Sequence, residues 1–217
     1  MIGVIGAGRI GTMVARHLAR AGHDVVISFS RDQDRLNATA DEIGARAGTP
    51  QEAANADVVV LSIPWTAIDD LVAQVDLDGK VVVDTTNQFG AGGWEEIPDG
   101  LTAAQLNQRR MPGARLVKSF NTLTAGFQAS ESGRPAERRV VQWVCGDDDE
   151  AKAQVAQLIR DAGFEPFDVG GLADAAVMEA PRREGAVYGE EYRPADARAV
   201  VETVRAGRPI PPTPSYE

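Results

Sequence analysis

The sequence predicts an α/β protein built on a doubly wound parallel sheet, and three observations carry that prediction. The first is the opening stretch, where an apolar run over residues 1–5 meets Gly6-Ala7-Gly8-Arg9-Ile10-Gly11, and Ile10, Val14, Leu18 and Ala21 then recur at helical spacing. Strand, glycine turn and helix in that order give a G-x-G-x-x-G pattern its meaning as a dinucleotide site. The second is the repeated alternation of short apolar strands with helical stretches, the signature of βαβ units. The third is the continuous apolar stretch over residues 56–63, as expected of a strand covered on both faces. The reading is a Rossmann-type domain over residues 1–180, followed by a short helical and extended tail over residues 181–217.

The remaining elements follow in order. Residues 24–29 form the second strand and 32–45 a helix, with Asp32 as its N-cap. A short strand or turn over 46–48 leads to Thr49-Pro50, where threonine caps a helix and proline takes its first position. Pro64-Trp65 closes the apolar strand at the carboxyl edge, where ligands bind in such sheets. A helix carrying Ile68, Leu71, Val72 and Val75 precedes a strand over 80–84 that runs into Thr85-Thr86-Asn87. Glycine-rich residues 88–100 read as an exposed loop near the site mouth. A helix over 102–110, strands over 114–120 and 139–145, a helix to about residue 162, a strand over 164–169 and a helix over 172–180 complete the domain. In the tail a helix starts at Pro194 with Ala197, Val200, Val201 and Val204 on one face, and residues 209–214 read as extended or frayed.

Bulk properties narrow the function. A chain of 217 residues with 43% hydrophobic and 25% charged residues can bury a real core. A net charge of −10 argues against nucleic acid and anionic membranes as partners. No apolar run is long enough to span a bilayer, and the first strand leaves no room for a leader, so a cytoplasmic protein is expected. One cysteine, Cys145, excludes an internal disulfide and a cysteine-rich metal site, and no metal is expected. The acid run 147–150 reads as an N-cap with helix-dipole partners.

The glycine motif assigns roles at once. Gly6 permits the sharp turn, Gly8 lets backbone N–H groups approach a pyrophosphate, and Gly11 allows close helix–strand packing. The helix N-terminus at Ala7, Arg9 and Ile10 supplies unpaired donors and partial positive charge. The end of the second strand carries Ser30 and Arg31, with Arg35 one turn on. A hydroxyl and two guanidinium groups suit a 2′-phosphate and so NADP(H). The competing reading makes Asp32 a ribose acid, as in NAD proteins.

With these residues in hand, the chain resembles the small reductases typified by the F420-dependent NADP reductases, which pass hydride between NADPH and a deazaflavin. The matching stretches are residues 6–11, Phe29-Ser30-Arg31-Asp32, Leu61-Ser62-Ile63-Pro64-Trp65, Val117-Lys118-Ser119-Phe120-Asn121-Thr122 and Val144-Cys145-Gly146-Asp147-Asp148. The resemblance implies that Ser30, Arg31 and Arg35 clamp the 2′-phosphate. It also implies that Ile63, Pro64, Trp65 and Asn121 line the nicotinamide end, with Pro64, Trp65 and Asn121 closest to the chemistry; Asn87 and Thr122, at the ends of their strands, are expected among the cofactor-binding residues. Residues from 181 onward diverge from that family, so the hydride partner stays open between a deazaflavin (F420) and FMN or FAD.

Ring-to-ring hydride transfer needs stacking and water exclusion more than acid–base groups. His17 and His23 accordingly read as structural, and Cys145 as a buried inert thiol. Lys118 and Asn121 invite comparison with the catalytic pair of β-hydroxyacid dehydrogenases. Those lie on a helix beyond the nucleotide domain, whereas these lie on a strand end. Two alternatives remain. One is a reductase of a small imine or carbonyl, with Tyr188 or Tyr192 as proton donor. The other is a non-catalytic NADP sensor whose tail engages a protein partner. The valine face of the last helix must cover its own domain or a twofold mate, and a homodimer is expected.

Overall fold

The computed structural model describes residues 1–30, 32–97 and 100–216. Its strands are β1 (Ile2–Ile5), β2 (Val25–Ser28), β3 (Arg46–Ala47), β4 (Val58–Leu61), β5 (Val81–Asp84), β6 (Phe89–Gly90), β7 (Gly93–Trp94), β8 (Arg115–Lys118), β9 (Val141–Gly146) and β10 (Glu165–Gly170). Eight of these form one sheet in the order β10-β9-β8-β5-β4-β1-β2-β3, and β6 pairs with β7 in a separate hairpin. The run β3-β2-β1-β4-β5-β8 is the order of a dinucleotide-binding sheet, reversing direction at β1–β4, where ligands bind beyond the carboxyl ends.

Eight α-helices are described beside short 3₁₀ segments: α1 (Arg9–Arg20), α2 (Gln33–Ile43), α3 (Pro50–Ala54), α4 (Ile68–Val72), α5 (Ala103–Arg110), α6 (Ala125–Glu131), α7 (Asp149–Asp161) and α8 (Pro194–Arg205). Each strand sends alternate residues to opposite faces. Val4 and Val60 join α1, α2 and α7 in one apolar cluster, whereas Ile5, Val59 and Leu61 join α3, α4, α5 and α8 in another. The sheet is therefore sandwiched between two helical layers, and its central strands are buried at every position.

Three expectations are corrected. The sheet is only mostly parallel, because β8 and β9 pair antiparallel and β10 follows β9. The stretch 88–100 is not wholly irregular: the β6–β7 hairpin opens it, and the Trp94 indole donates to Ala180 O at 3.0 Å. The helix expected over 172–180 is a 3₁₀ segment, Leu172–Met178.

The tail shares the core of the sheet. Val187, Tyr192, Ala197 and Val200 are buried in the same cluster as Trp143 on β9, and the Tyr192 ring meets Trp143 edge-on at 5.3 Å. The valine face of α8 packs on this cluster, so the sequence argument for a mate loses its premise. Residues beyond α8 are tied back as well: the Tyr216 hydroxyl accepts from Arg193 N–H at 3.0 Å and donates to Asp196 at 2.7 Å. No helix among the described residues is long and apolar enough to cross a membrane.

The acid run at the start of α7 has a structural role. Asp148 caps the helix through Ala151 N–H and receives Arg115 from β8 at 2.6 and 3.0 Å. The Arg115 guanidinium, and then the Ala151 amide, hold its carboxyl well below the usual carboxylate range. A depressed folded value gives stability that is present above the ordinary carboxylate value near 3.9 and is lost as pH falls below it. Thermal melts of Asp148→Asn, which can still cap, should show the wild-type advantage at neutral pH shrinking progressively below about pH 4.

Candidate functional site

Three strand ends build the phosphate cradle. At the end of β1, Gly6 has φ +126°, and a Cβ placed on it would lie 2.0 Å from Ser62 O at the end of β4. A Cβ on Gly11 would lie 1.9 Å from Gly6 O, so α1 approaches the turn at a distance that only glycine allows. Gly8 differs, because a Cβ there would meet nothing within 4 Å and would project into open space. The side chains of Asp32, Thr49, Thr102, Thr124 and Asp148 cap α2, α3, α5, α6 and α7. Among the described residues no side chain caps α1, and no acid lies in its first turn. Its first amides thus keep their donors for an anion.

Two clefts meet at Ala7 and Gly8. One, of about 540 Å³, has Phe29, Ser30, Ile63 and Pro64 on its walls. The other, of about 650 Å³, runs along α1 and collects Arg9, Arg16, Arg20 and Arg35. Ser30 and Arg35 thus flank the glycine turn from the β2 side. Arg31 lies outside the described residues. Asp32 caps α2 through Arg35 N–H at 3.0 Å, and its backbone N–H donates to Ser30 Oγ. The carboxylate read alternatively as a ribose ligand is committed to the helix.

On the other side of the switch point, Asn87 after β5 and Asn121 after β8 bind each other. Asn87 Nδ2 donates to Asn121 O at 2.9 Å, and Asn121 Nδ2 donates to Asn87 Oδ1 at 3.2 Å and Met178 O at 2.7 Å. Asn121 Oδ1, Thr122 Oγ1 and Gln88 Oε1 are buried without a partner among the described residues. Buried polar atoms left unpaired are uncommon and call for a reason. Together with the glycine cradle and the uncapped helix, these donors and acceptors fit a dinucleotide phosphate with a carboxamide at its far end.

Trp65 is corrected. It is 4% exposed, sits in the apolar cluster with α4, and lies beneath the Arg110 guanidinium at 4.4 Å. The indole supports the turn from below, while Ile63 and Pro64 line the cleft. The other non-cofactor expectations are structural. His23 contacts Asp161 at 2.8 Å, and the half-buried His17 packs edge-on to Phe164. Cys145 is buried, and burial pushes its thiol up and out of reactive range.

Two features had no sequence signal. Phe29 and Phe120 adopt left-handed backbone angles, φ 63° and 56°, immediately before Ser30 and Asn121. Such angles in bulky residues cost roughly 1–3 kcal/mol and cluster at functional sites. The second feature is a fully buried ion cluster beneath the strand ends. Lys118 Nζ lies 3.0 Å from Asp84 Oδ2, 2.8 Å from Thr86 O and 3.8 Å from Glu179 Oε1. Asp84 also accepts from Thr86 and from Asn107. Burial alone would lower the Lys118 value, but Asp84 and Glu179 outweigh it and hold it above the ordinary one. A lysine so enclosed cannot serve a substrate, which rules out the dehydrogenase comparison on geometry.

The similarities agree with this architecture. A family model described as "NADP oxidoreductase coenzyme F420-dependent" matches residues 1–88. The chain is 30% identical over 195 residues to the F420-dependent NADP reductase of Methanothermobacter thermautotrophicus, covering 80% of this chain and 82% of that protein. It is 28% identical over 180 residues to the metalloreductase STEAP3 of Rattus norvegicus, covering 82% of this chain. The match takes in only 36% of that relative, so the chain spans about a third of its length. The crystal structure of a hypothetical protein from Sinorhizobium meliloti superposes with a TM-score of 0.78 at 31% identity, covering 89% of this chain and 96% of the other.

Two results are expected from substitution. Gly8→Ala, at φ −81°, should leave stability unchanged or raise it by about 0.4–1 kcal/mol while weakening NADPH binding, whereas Gly11→Ala should lose about 1–3 kcal/mol. Urea unfolding and calorimetric titration separate the two effects. Lys118→Met leaves Asp84 and Glu179 buried without their cation, and unfolding should show a loss of about 3–5 kcal/mol.

Proposed function

This chain belongs to the F420-dependent NADP reductase family, and from that premise we propose that it is an NADPH-dependent reductase transferring hydride between NADP(H) and a deazaflavin (F420) or flavin ring. The observation that carries this reading is the neutral character of the strand-end pocket. Asn87, Asn121 and Thr122 offer hydrogen bonds but no proton at neutral pH, and the charged groups below them are buried and paired with one another. Transfer between two rings needs alignment and a dry contact, and no general acid.

Bound NADPH supplies the hydride. The amides of α1 and the open space at Gly8 hold the pyrophosphate, while Ser30 and Arg35, with Arg31, receive the 2′-phosphate. Ile63 and Pro64 give one apolar wall at the nicotinamide end. Asn121 Oδ1 and Thr122 Oγ1 are the partners for its carboxamide, fixing which ring face is turned to the acceptor. The hairpin at Phe89 and Trp94 and the segment ending at Ala180 border this end and exclude water. The second ring is taken up at the mouth they form.

A small imine or carbonyl acceptor would need a proton, and one phenol suits that role. Gly189 N–H donates to Thr122 O at 2.8 Å, bringing half-buried Tyr188 to the β8 end. Tyr192 is buried against Trp143, and Tyr216 is bound to Asp196.

NADPH oxidation by the purified protein, followed with F420, FMN, FAD and a cyclic imine in turn, tests the proposal. Rapid turnover with one ring acceptor is expected, and Arg35→Ala should narrow the preference for NADPH over NADH by about tenfold. Turnover only with the imine, abolished by Tyr188→Phe, would overturn ring-to-ring transfer. Tight NADPH binding with no oxidation by any acceptor would leave a sensor.

A further inference from the structure

The buried cluster contains a carboxylate that hydride transfer does not use. Glu179 is 3% exposed and stands where the chain leaves the Leu172–Met178 segment. Its two oxygens accept from the first two amides of α5, Ala103 N–H at 2.9 Å and Ala104 N–H at 2.8 Å. One of them also lies 3.8 Å from Lys118 Nζ. A buried carboxylate persists only when paired and hydrogen-bonded, and here a cation and a helix N-terminus supply both conditions. The partner sites are rigid, because Lys118 is on β8 and α5 is closed by the Thr102–Gln105 capping box.

The residues on either side of Glu179 perform a different task. Met178 O accepts from Asn121 Nδ2, Ala180 N–H donates to Asn87 Oδ1 at 3.2 Å, and Ala180 O accepts from the Trp94 indole. Three consecutive residues thus carry one anchor pointing into the protein and three main-chain contacts to the Asn121, Asn87 and Trp94 side chains. The Asn121 carboxamide has its Nδ2 fully engaged by this arrangement, which leaves Oδ1 as its only open group.

We propose that Glu179 is the positioning residue of the nicotinamide end: its ionic tether to α5 and Lys118 holds Met178–Ala180 in register and thereby sets the Asn121 carboxamide and the Trp94 hairpin. This rests on the assignment of the nicotinamide to Asn87 and Asn121. Among the described residues, Ser30 and Arg35, on the far side of the switch point, make no hydrogen bond or ion pair with the tether.

Glu179→Gln in the full chain keeps the shape and removes the charge. Nitrogen–proton spectra of the ligand-free protein read the Trp94 indole N–H and the Asn121 carboxamide, assigned with Trp94→Phe and Asn121→Ala. Calorimetry reads NADPH against 2′,5′-ADP, which carries only the phosphorylated adenosine half. In Glu179→Gln both resonances should shift and exchange faster, and NADPH affinity should fall by about tenfold or more while 2′,5′-ADP binding holds. Ala103→Pro removes one donor to Glu179 without changing charge. Proline is accepted at the first helical position, and Thr102 before it is already extended at ψ 160°. It should act in the same direction, more weakly, and it serves if Glu179→Gln does not fold. Unmoved resonances, or equal weakening of both ligands with a lower melting temperature, would overturn the proposal. Asn121→Ala separates the two readings. If it leaves NADPH affinity intact, the nicotinamide assignment fails. If it weakens NADPH while Glu179→Gln does not, the tether alone fails.

Discussion

A buried ion pair between neighbouring strand ends underlies the site. Asp84 closes β5 and Lys118 closes β8, both wholly buried, and their 3.0 Å contact lies under the loops that carry Asn87 and Asn121. In this setting neither charge can be satisfied by water. Each draws in further partners: Thr86 and Asn107 for Asp84, and Thr86 O and Glu179 for Lys118. Buried pairs of this kind contribute little net stability compared with a well-packed apolar core, but losing one partner is costly. Their consequence here is geometric, because four separate segments are held to one another at a single point.

The two ends of the site are organised by different physics. The phosphate end relies on close backbone approach. Gly6 and Gly11 have no room for a side chain, and an uncapped helix offers its amides. The far end relies on side-chain carboxamides locked by main-chain groups of the segment Met178–Ala180. Strain marks both: Phe29 and Phe120 turn the chain through left-handed angles just before Ser30 and Asn121. Phe120 is held by its edge-on contact with Phe164 at 6.3 Å, so the core behind the sheet sustains the angle.

The tail belongs to this arrangement. Its apolar residues complete the cluster around Trp143, and Gly189 binds Thr122 O. The stretch that diverges most from the reductase pattern therefore borders the mouth of the pocket.

Local pattern was enough to read the glycine turn, the order of the first strands and helices, the caps at Asp32 and Thr49, the capping role of the acid run 147–150, and the burial of Cys145. Each depends on residues within a few positions of one another, so short-range sterics and periodicity settle it. The reversed β9 and β10, the inward turn of Trp65, the left-handed phenylalanines and the Asp84–Lys118–Glu179 cluster were not legible. Trp65 looked like a pocket residue because it follows a strand end, but Arg110, 45 positions later in the chain, covers it. Glu179 carried no signal of its own in the sequence, lying within the helix expected over 172–180. Only folding brings it to the N-terminus of α5 and to Lys118, because a buried charge is defined by its partners and those lie far away in the sequence. Periodicity and turn chemistry determined the scaffold and the phosphate end, and long-range pairing in a low-dielectric interior decided the rest of the site.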